Sequence, residues 1–195
     1  MSITVINKEL ESTLTQKKLE GYLKYNEIIQ WGRRNPVKFA ETMLGVEFMD
    51  YQKYCFMSSW DKQFVLWLMS RWRNGGKSTL SAPYCMTKMM LFPNFNSYIL
   101  SLTAAQSQST FMKMEKIAKK QIESFTGLTD IFLGEVVVGT NSDGFTHAPS
   151  GFKMKLYNGS SVTTCAGDED NIRGKDILPS YIEIYNCNCV RKLEG

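Results

Sequence analysis

An apolar run followed by a polar loop and the letters GKST constrains this chain more than any other feature. Residues 64–79 read FVLWLMSRWRNGGKST, so six apolar residues lead into a loop that ends at Gly76 and Lys77. The residues that follow are compatible with a helix. A strand, a loop, GK[ST] and a helix form the layout of a phosphate-binding loop, in which backbone N–H groups donate to phosphate oxygens. The sequence therefore predicts nucleotide binding, with hydrolysis.

Two side chains of this loop have predicted roles. Lys77 would place a positive charge beside the β- and γ-phosphates, and the Ser78 hydroxyl would ligate the Mg²⁺ that bridges them. The full pattern is G-x-x-x-x-G-K-[ST], and here Arg71 stands at the first glycine position. A basic turn after a core strand is the alternative interpretation. Pro83 falls within the predicted helix, where it is expected to kink or restart it.

Length and composition are those of one soluble α/β domain. The chain has 195 residues, of which 43% are hydrophobic and 22% charged, with a net charge of +4. That charge permits a polyanionic partner without requiring one. Because no apolar run approaches the ~20 residues that cross a bilayer, and no secretory leader is evident, we expect an intracellular protein with no membrane partner.

Cysteine and histidine usage argues against several other kinds of site. The five cysteines are odd in number and include no C-x-x-C pair, so neither a disulfide framework nor a zinc site is expected. The single histidine, His147, falls in a stretch rich in Gly, Asn and Asp and is expected to be a loop residue.

The order of predicted elements indicates a helical segment followed by alternating strands and helices. Asn35-Pro36 predicts a helix start and Gly45 its stop, while Gly21 is a candidate break in the helix before it. Asn158-Gly159 between strand-like runs predicts a β-hairpin. Helices are expected at 5–31, 36–44, 51–60, 77–91 and 104–124, and strands at 64–69, 97–102, 135–138, 152–157 and 161–165. Strands separated by helices of this length favour parallel βαβ units.

Three further segments, taken in order with the loop, carry a resemblance to a known family. They are MDYQK at 49–53, SLTAAQSQSTF at 101–111 and NGSSVTTCAGDEDNIRGK at 158–175. Over roughly residues 40–175 the chain resembles the ATPase domain of the large terminase subunit of tailed bacteriophages. Terminase motors often carry the loop form R-x-x-GK[ST], which Arg73 to Ser78 fits.

The resemblance implies a fold, a function and partners. The fold would be α/β, a P-loop NTPase core with a mainly parallel sheet, an N-terminal helical arm and a β-hairpin insertion. The arm would span 1–48, the ATPase core 49–175, and an atypical tail 176–195. The function would be ATP-driven packaging of viral double-stranded DNA, with ATP and Mg²⁺ as cofactors. The partners would be DNA, the portal protein, the small terminase subunit and other copies in a ring, in the host cytoplasm.

The resemblance also assigns site residues. Gln52 matches the family's adenine-sensing glutamine, whose carboxamide offers the donor and acceptor that an adenine edge requires. Tyr51 would stack on the base, and Arg73 would neutralise charge at the γ-phosphate. For Tyr51 and Gln52, a capped amphipathic helix is the alternative. The remaining ATP contacts fall on Asn74, Gly75, Gly76, Lys77, Ser78 and Thr79. Thr103, Gln106 and Gln108 would sense nucleotide or touch DNA, and an ordinary helix N-terminus is the alternative.

The family's acidic residues are where the sequence departs from the pattern. A P-loop ATPase needs an apolar strand that ends in Asp-Glu to hold Mg²⁺ and polarise water. After Arg173-Gly174 no such pair follows an apolar strand, and Glu183 is the nearest carboxylate to the expected position. The nuclease carboxylates of the family are also missing, and foreign sequence over the last twenty or so residues is one explanation. Two alternative functions therefore stay open, a catalytically impaired nucleotide-binding or assembly fragment and a helicase-like ATPase.

Four lysines on the helix expected at 104–124 are candidates for contact with DNA phosphates. A packaging motor must move along any sequence, so such contacts would be indifferent to base identity. A solvated helix face is the alternative. The four are Lys113, Lys116, Lys119 and Lys120.

Overall fold

The computed structural model describes residues 16–61, 76–101, 104–121, 130–139, 143–149 and 151–166, and these ranges hold six helices and four strands. The helices are α1 (Gln16–Arg34), α2 (Pro36–Met43), α3 (Asp50–Trp60), α4 (Lys77–Leu91), α5 (Ala104–Ala118) and α6 (Asp130–Glu135). The strands are β1 (Asn96–Ser101), β2 (Thr146–Ala148), β3 (Gly151–Lys155) and β4 (Ser161–Ala166). None of the described helices is both long enough and apolar enough to cross a membrane.

Local signals define the first helices much as predicted. Helix α2 begins at Pro36 and is followed by Gly45 at φ 66°, a left-handed conformation that glycine adopts without penalty. The Asn35 amide does not cap α2, because its Nδ2 donates 3.2 Å back to the Trp31 carbonyl. Helix α1 continues through Gly21, so the candidate break there is wrong.

Helix α4 is continuous from Lys77 to Leu91 and does not restart at Pro83. The Thr87 hydroxyl donates 2.8 Å to the Pro83 carbonyl one turn earlier in the helix. At its C-terminal end, Arg33 of α1 donates to the Leu91 carbonyl from Nε at 2.9 Å and from Nη2 at 2.7 Å. A cation at this end of a helix is favoured by the helix dipole.

The described strands form one mixed sheet in the order β1-β4-β3-β2. Strands β1 and β4 are parallel, with Asn96 opposite Ser161 and Ser101 opposite Ala166, whereas β4 with β3 and β3 with β2 are antiparallel. The α/β class is confirmed. A mainly parallel sheet is wrong for these strands, because the predicted hairpin adds its strands to the same sheet. The predicted strand 64–69 lies outside the described residues.

The Asn158-Gly159 hairpin is confirmed and is tied to helix α4. Gly159 has φ 86°, and the Leu156 N–H donates 2.8 Å to the Ser160 carbonyl across the turn. Asn158 Nδ2 donates 2.7 Å to the Met89 carbonyl, and Asn158 Oδ1 accepts from the Ser160 N–H at 2.9 Å. The turn therefore fixes the sheet against the end of α4.

The predicted strand 135–138 is present only as an isolated bridge. Residues Asp130–Glu135 form α6, and only Val136 makes a single antiparallel bridge, to Leu156. Phe132 of α6 and Val136, just beyond the end of that helix, are both buried. Helix α5 ends at Ala118 rather than continuing to 121, and Lys120 beyond it has φ 53°; residues 122–124 lie outside the described ranges.

One hydrophobic core joins the N-terminal helices to the sheet. Its fully buried large side chains include Phe39 of α2, Phe56 of α3 and Ile99 of β1. Helix α5 covers the sheet with an apolar face whose described members are all buried: Phe111, Met114, Ile117 and Ala118. This packing sets α4 between the N-terminal helices and α5, which positions its N-terminus.

Candidate functional site

Gly76 sets the start of helix α4. It is the N-cap residue, with φ 69° and ψ 14°, and its carbonyl accepts from the Leu80 N–H at 2.9 Å as the first bond of the helix. The N–H groups of residues 77–79 precede that bond and have no acceptor within the helix. A row of such donors at the positive end of the helix dipole favours an anion.

Two residues of α3 meet Gly76. A methyl group placed on Gly76 would lie 2.5 Å from Gln52 Nε2 and 3.2 Å from the Tyr51 hydroxyl oxygen. The close approach needs glycine, since a Cβ would collide with the Gln52 amide. Three residues that sequence analysis assigned to one site, Tyr51, Gln52 and Gly76, therefore lie together.

The Gln52 side chain has a structural role as well. It is 4% exposed, and its Oε1 accepts from the Met49 N–H at 3.0 Å, which satisfies a donor at the start of α3. The Gln52 side-chain oxygen therefore caps the start of α3, as the capped-helix alternative proposes. The side-chain nitrogen faces Gly76.

The Tyr51 ring remains accessible. It is 47% exposed, and its neighbours on the same helix surface, Tyr54 and Met57, are 75% and 49% exposed. An exposed aromatic face beside a row of backbone donors can stack on a planar base while the donors hold its phosphates.

Lys113 of α5 reaches the same helix start, which sequence analysis did not foresee. Its Nζ donates 2.7 Å to the Thr79 hydroxyl, at the third helical position of α4. Burial lowers the Lys113 pKa from its usual 10.5. The only sequence signal that Lys113 faces the protein is the helical period. Lys113 lies three residues after buried Thr110 and four before buried Ile117, which places the three on one side of α5.

A second charged cluster joins α5 to the sheet. Lys119 Nζ donates 2.6 Å to Glu115 Oε1 and also pairs with Asp143, and His147 Nε2 lies 2.8 Å from Glu115 Oε2. The Asp143 pKa is lowered, first by its hydrogen bond from Lys119. His147 lies in β2 rather than in a loop, so that prediction is wrong.

The four candidate DNA lysines therefore differ in their surroundings. Lys113 and Lys119 are engaged by Thr79 and by two carboxylates, respectively. Lys116 and Lys120 are exposed.

Several predicted site residues lie outside the described part of the chain. Lys77 and Ser78 are residues of α4 whose side chains the structure does not describe. The side chain of Gln106 in α5 is likewise not described. The other residues beyond the described ranges are Arg71, Arg73, Asn74, Gly75, Thr103 and Glu183. Their assignments stay predictions.

Comparison with known proteins adds no family assignment. No protein-family model matches the chain, and no curated protein matches it in sequence.

Proposed function

We propose that this chain binds MgATP at the N-terminus of α4, as the ATPase domain of a viral DNA-packaging terminase large subunit. The observation that carries the proposal is the meeting of Tyr51 and Gln52 with Gly76 at the first residue before α4. This contact supports the position that the sequence motif predicts for the nucleotide.

Each part of the nucleotide has a partner in this proposal. The N–H groups of residues 77–79 donate to phosphate oxygens, and Lys77 and Arg73 supply positive charge. Ser78 ligates Mg²⁺, which when bound neutralises the phosphates and holds them for attack by water. Asn74, Gly75 and Thr79 complete the phosphate contacts. The Tyr51 ring stacks on the base, and Gln52 is the adenine-sensing residue.

The proposed cellular role is translocation of double-stranded DNA into a capsid, by a ring of copies that contacts the portal protein and the small terminase subunit in the host cytoplasm. Two features support a role with DNA, the net charge of +4 and the exposure of Lys116 and Lys120 on α5. Contacts through these lysines would be to phosphate and would weaken steeply with salt.

A second candidate function is a nucleotide-binding or assembly module with little hydrolysis. The sequence favours it at one point, since no Asp-Glu pair follows an apolar strand after Gly174. A helicase-like ATPase shares the glutamine and the loop and is a third candidate. All three bind nucleotide at the same helix start.

The test of the shared claim is equilibrium binding of a fluorescent ATP analogue with Mg²⁺ to the wild type and to Lys77→Ala. Affinity should fall at least tenfold, about 1.4 kcal/mol, because a charged hydrogen bond to phosphate is lost. Lys53→Ala is the matched control, since Lys53 is exposed and pairs with Glu41 at 3.0 Å on the surface. Unchanged affinity in a folded Lys77→Ala variant would refute the phosphate-binding loop.

A further inference from the structure

Lys113 is the described lysine that reaches the start of helix α4. Its ammonium donates 2.7 Å to the Thr79 hydroxyl, so a cation lies within one hydrogen bond of the third helical residue. Among the described residues its partner is this neutral hydroxyl and no carboxylate is paired with it, in contrast to Lys119, which pairs with Glu115 and Asp143.

The electrostatics of this position are unfavourable without an anion. The N-terminus of a helix is the positive end of its dipole and disfavours a nearby cation. Partial burial adds to the cost and lowers the Lys113 pKa, and no acidic residue in the described part of the chain pairs with the ammonium. Arg33 shows the usual arrangement on the same helix, because it donates to the Leu91 carbonyl at the negative end.

A single anion could offset both unfavourable interactions. An anion seated on the free N–H groups of residues 77–79 would lie beside both the helix dipole and the ammonium, and it would offset the cost of each. Without the anion, the Thr79 hydroxyl is the hydrogen-bond acceptor that keeps the flexible lysine side chain at the helix start.

We propose that Lys113 is a phosphate-binding residue of the nucleotide site, presented by α5 to the phosphates held at the N-terminus of α4. This inference rests on the proposed function and adds to it a second lysine that the loop motif does not contain. The ligand class is a nucleoside di- or triphosphate, because the ammonium meets the helix at Thr79, whose N–H group is one of the proposed phosphate donors. The alternative ligand is the phosphate backbone of DNA, which an exposed lysine such as Lys116 can reach more readily.

The experiment measures binding of a fluorescent MgATP analogue to the full chain carrying Lys113→Gln. Affinity should fall at least tenfold, as expected for loss of a charged hydrogen bond. Lys38→Gln, which removes the same charge from an exposed position of α2, should change affinity less than twofold. The melting temperature of Lys113→Gln without nucleotide should equal or exceed that of the wild type, since an uncompensated cation has been removed. If Lys113→Gln does not fold, Lys113→Met keeps the aliphatic stem and takes its place.

Three results would overturn the inference. Unchanged affinity in Lys113→Gln, in a protein that loses binding on Lys77→Ala, would refute the role of Lys113 and leave the proposed function standing. Unchanged affinity in both variants would refute the proposed function and this inference together. Weaker binding of a 30-base-pair duplex by Lys113→Gln, with nucleotide affinity unchanged, would assign Lys113 to DNA.

Discussion

At the scale of single residues, Gly76 satisfies two separate steric demands. Its φ of 69° lies in the left-handed region, and the space a side chain would need is taken by the Gln52 amide and the Tyr51 hydroxyl. Either demand alone favours glycine. Together they explain how a helix start can lie directly against α3.

Replacing Gly76 with alanine should therefore destabilise the fold and weaken nucleotide binding. We expect the melting temperature to fall by about 2–8 °C, for a cost of roughly 1–2 kcal/mol from the backbone strain and the collision with Gln52. Gly21→Ala is the matched control, because nothing lies within 4 Å of its added methyl group in α1 and alanine favours helix. Thermal unfolding followed by circular dichroism should show opposite signs for the two. A stable Gly76→Ala variant with full binding would contradict this reading of Gly76.

The Lys113 ammonium should change how the free energy of unfolding depends on pH. The Lys113 pKa in the folded protein is lowered from 10.5. Between the folded pKa and 10.5, the unfolded chain therefore holds more protons than the folded one. The destabilisation is present at neutral pH and is relieved as pH rises through the folded pKa toward 10.5. The stability advantage of Lys113→Met over the wild type should therefore shrink from pH 7 to pH 10. Urea unfolding at each pH measures it, and an advantage that grows with pH would contradict the assignment.

At the scale of elements, the parts of the fold that could be predicted are those with local signals. Pro36 and Gly45 bound α2, and Asn158-Gly159 makes its hairpin, because each residue type dictates the backbone at its own position. The segment 135–138 differs from its prediction because α6 extends to Glu135 and only Val136 pairs, with Leu156, in an isolated bridge.

The Asn158 side chain should help to hold the hairpin turn, and with it the sheet, to α4. Asn158→Ala removes the donor to the Met89 carbonyl and the acceptor for the Ser160 N–H, and we expect it to cost about 1.5–3 kcal/mol. Asn96→Ala is the control, since its bond to the Ser161 hydroxyl is exposed and should contribute less than about 0.5 kcal/mol. Chemical denaturation of both variants tests this. Equal costs would mean that the turn does not link the sheet to the helix.

At the scale of the whole molecule, tertiary packing decides what no sequence pattern contains. Tyr51 and Gln52 could be assigned to the site from the resemblance, but their contact with Gly76 depends on how α3 packs against α4. The reach of Lys113 to Thr79 depends likewise on how α5 packs against α4. The mixed sheet could not be predicted either, because the partner of the hairpin is set by distant residues.

Hydrolysis also belongs to this scale, because it needs groups that the loop and helix do not supply. Water must be polarised by a placed carboxylate, and Glu183 is the nearest candidate in the sequence. We expect the purified chain to bind MgATP but to turn it over far below the ~1–1,000 per second usual for enzymes. A steady-state phosphate-release assay tests this. Ordinary turnover that Glu183→Gln abolishes would make Glu183 the catalytic acid and end the impaired-module alternative.

The most direct test of a phosphate site at the start of α4 is to record the backbone amide resonances of the ¹⁵N-labelled chain during titration with MgATP. The N–H groups of residues 77–79 donate to phosphate in the proposed complex, so their signals should shift most, and adenosine alone should leave them in place. Shifts confined to other regions at saturating MgATP, with these three amides unchanged, would contradict the proposed site.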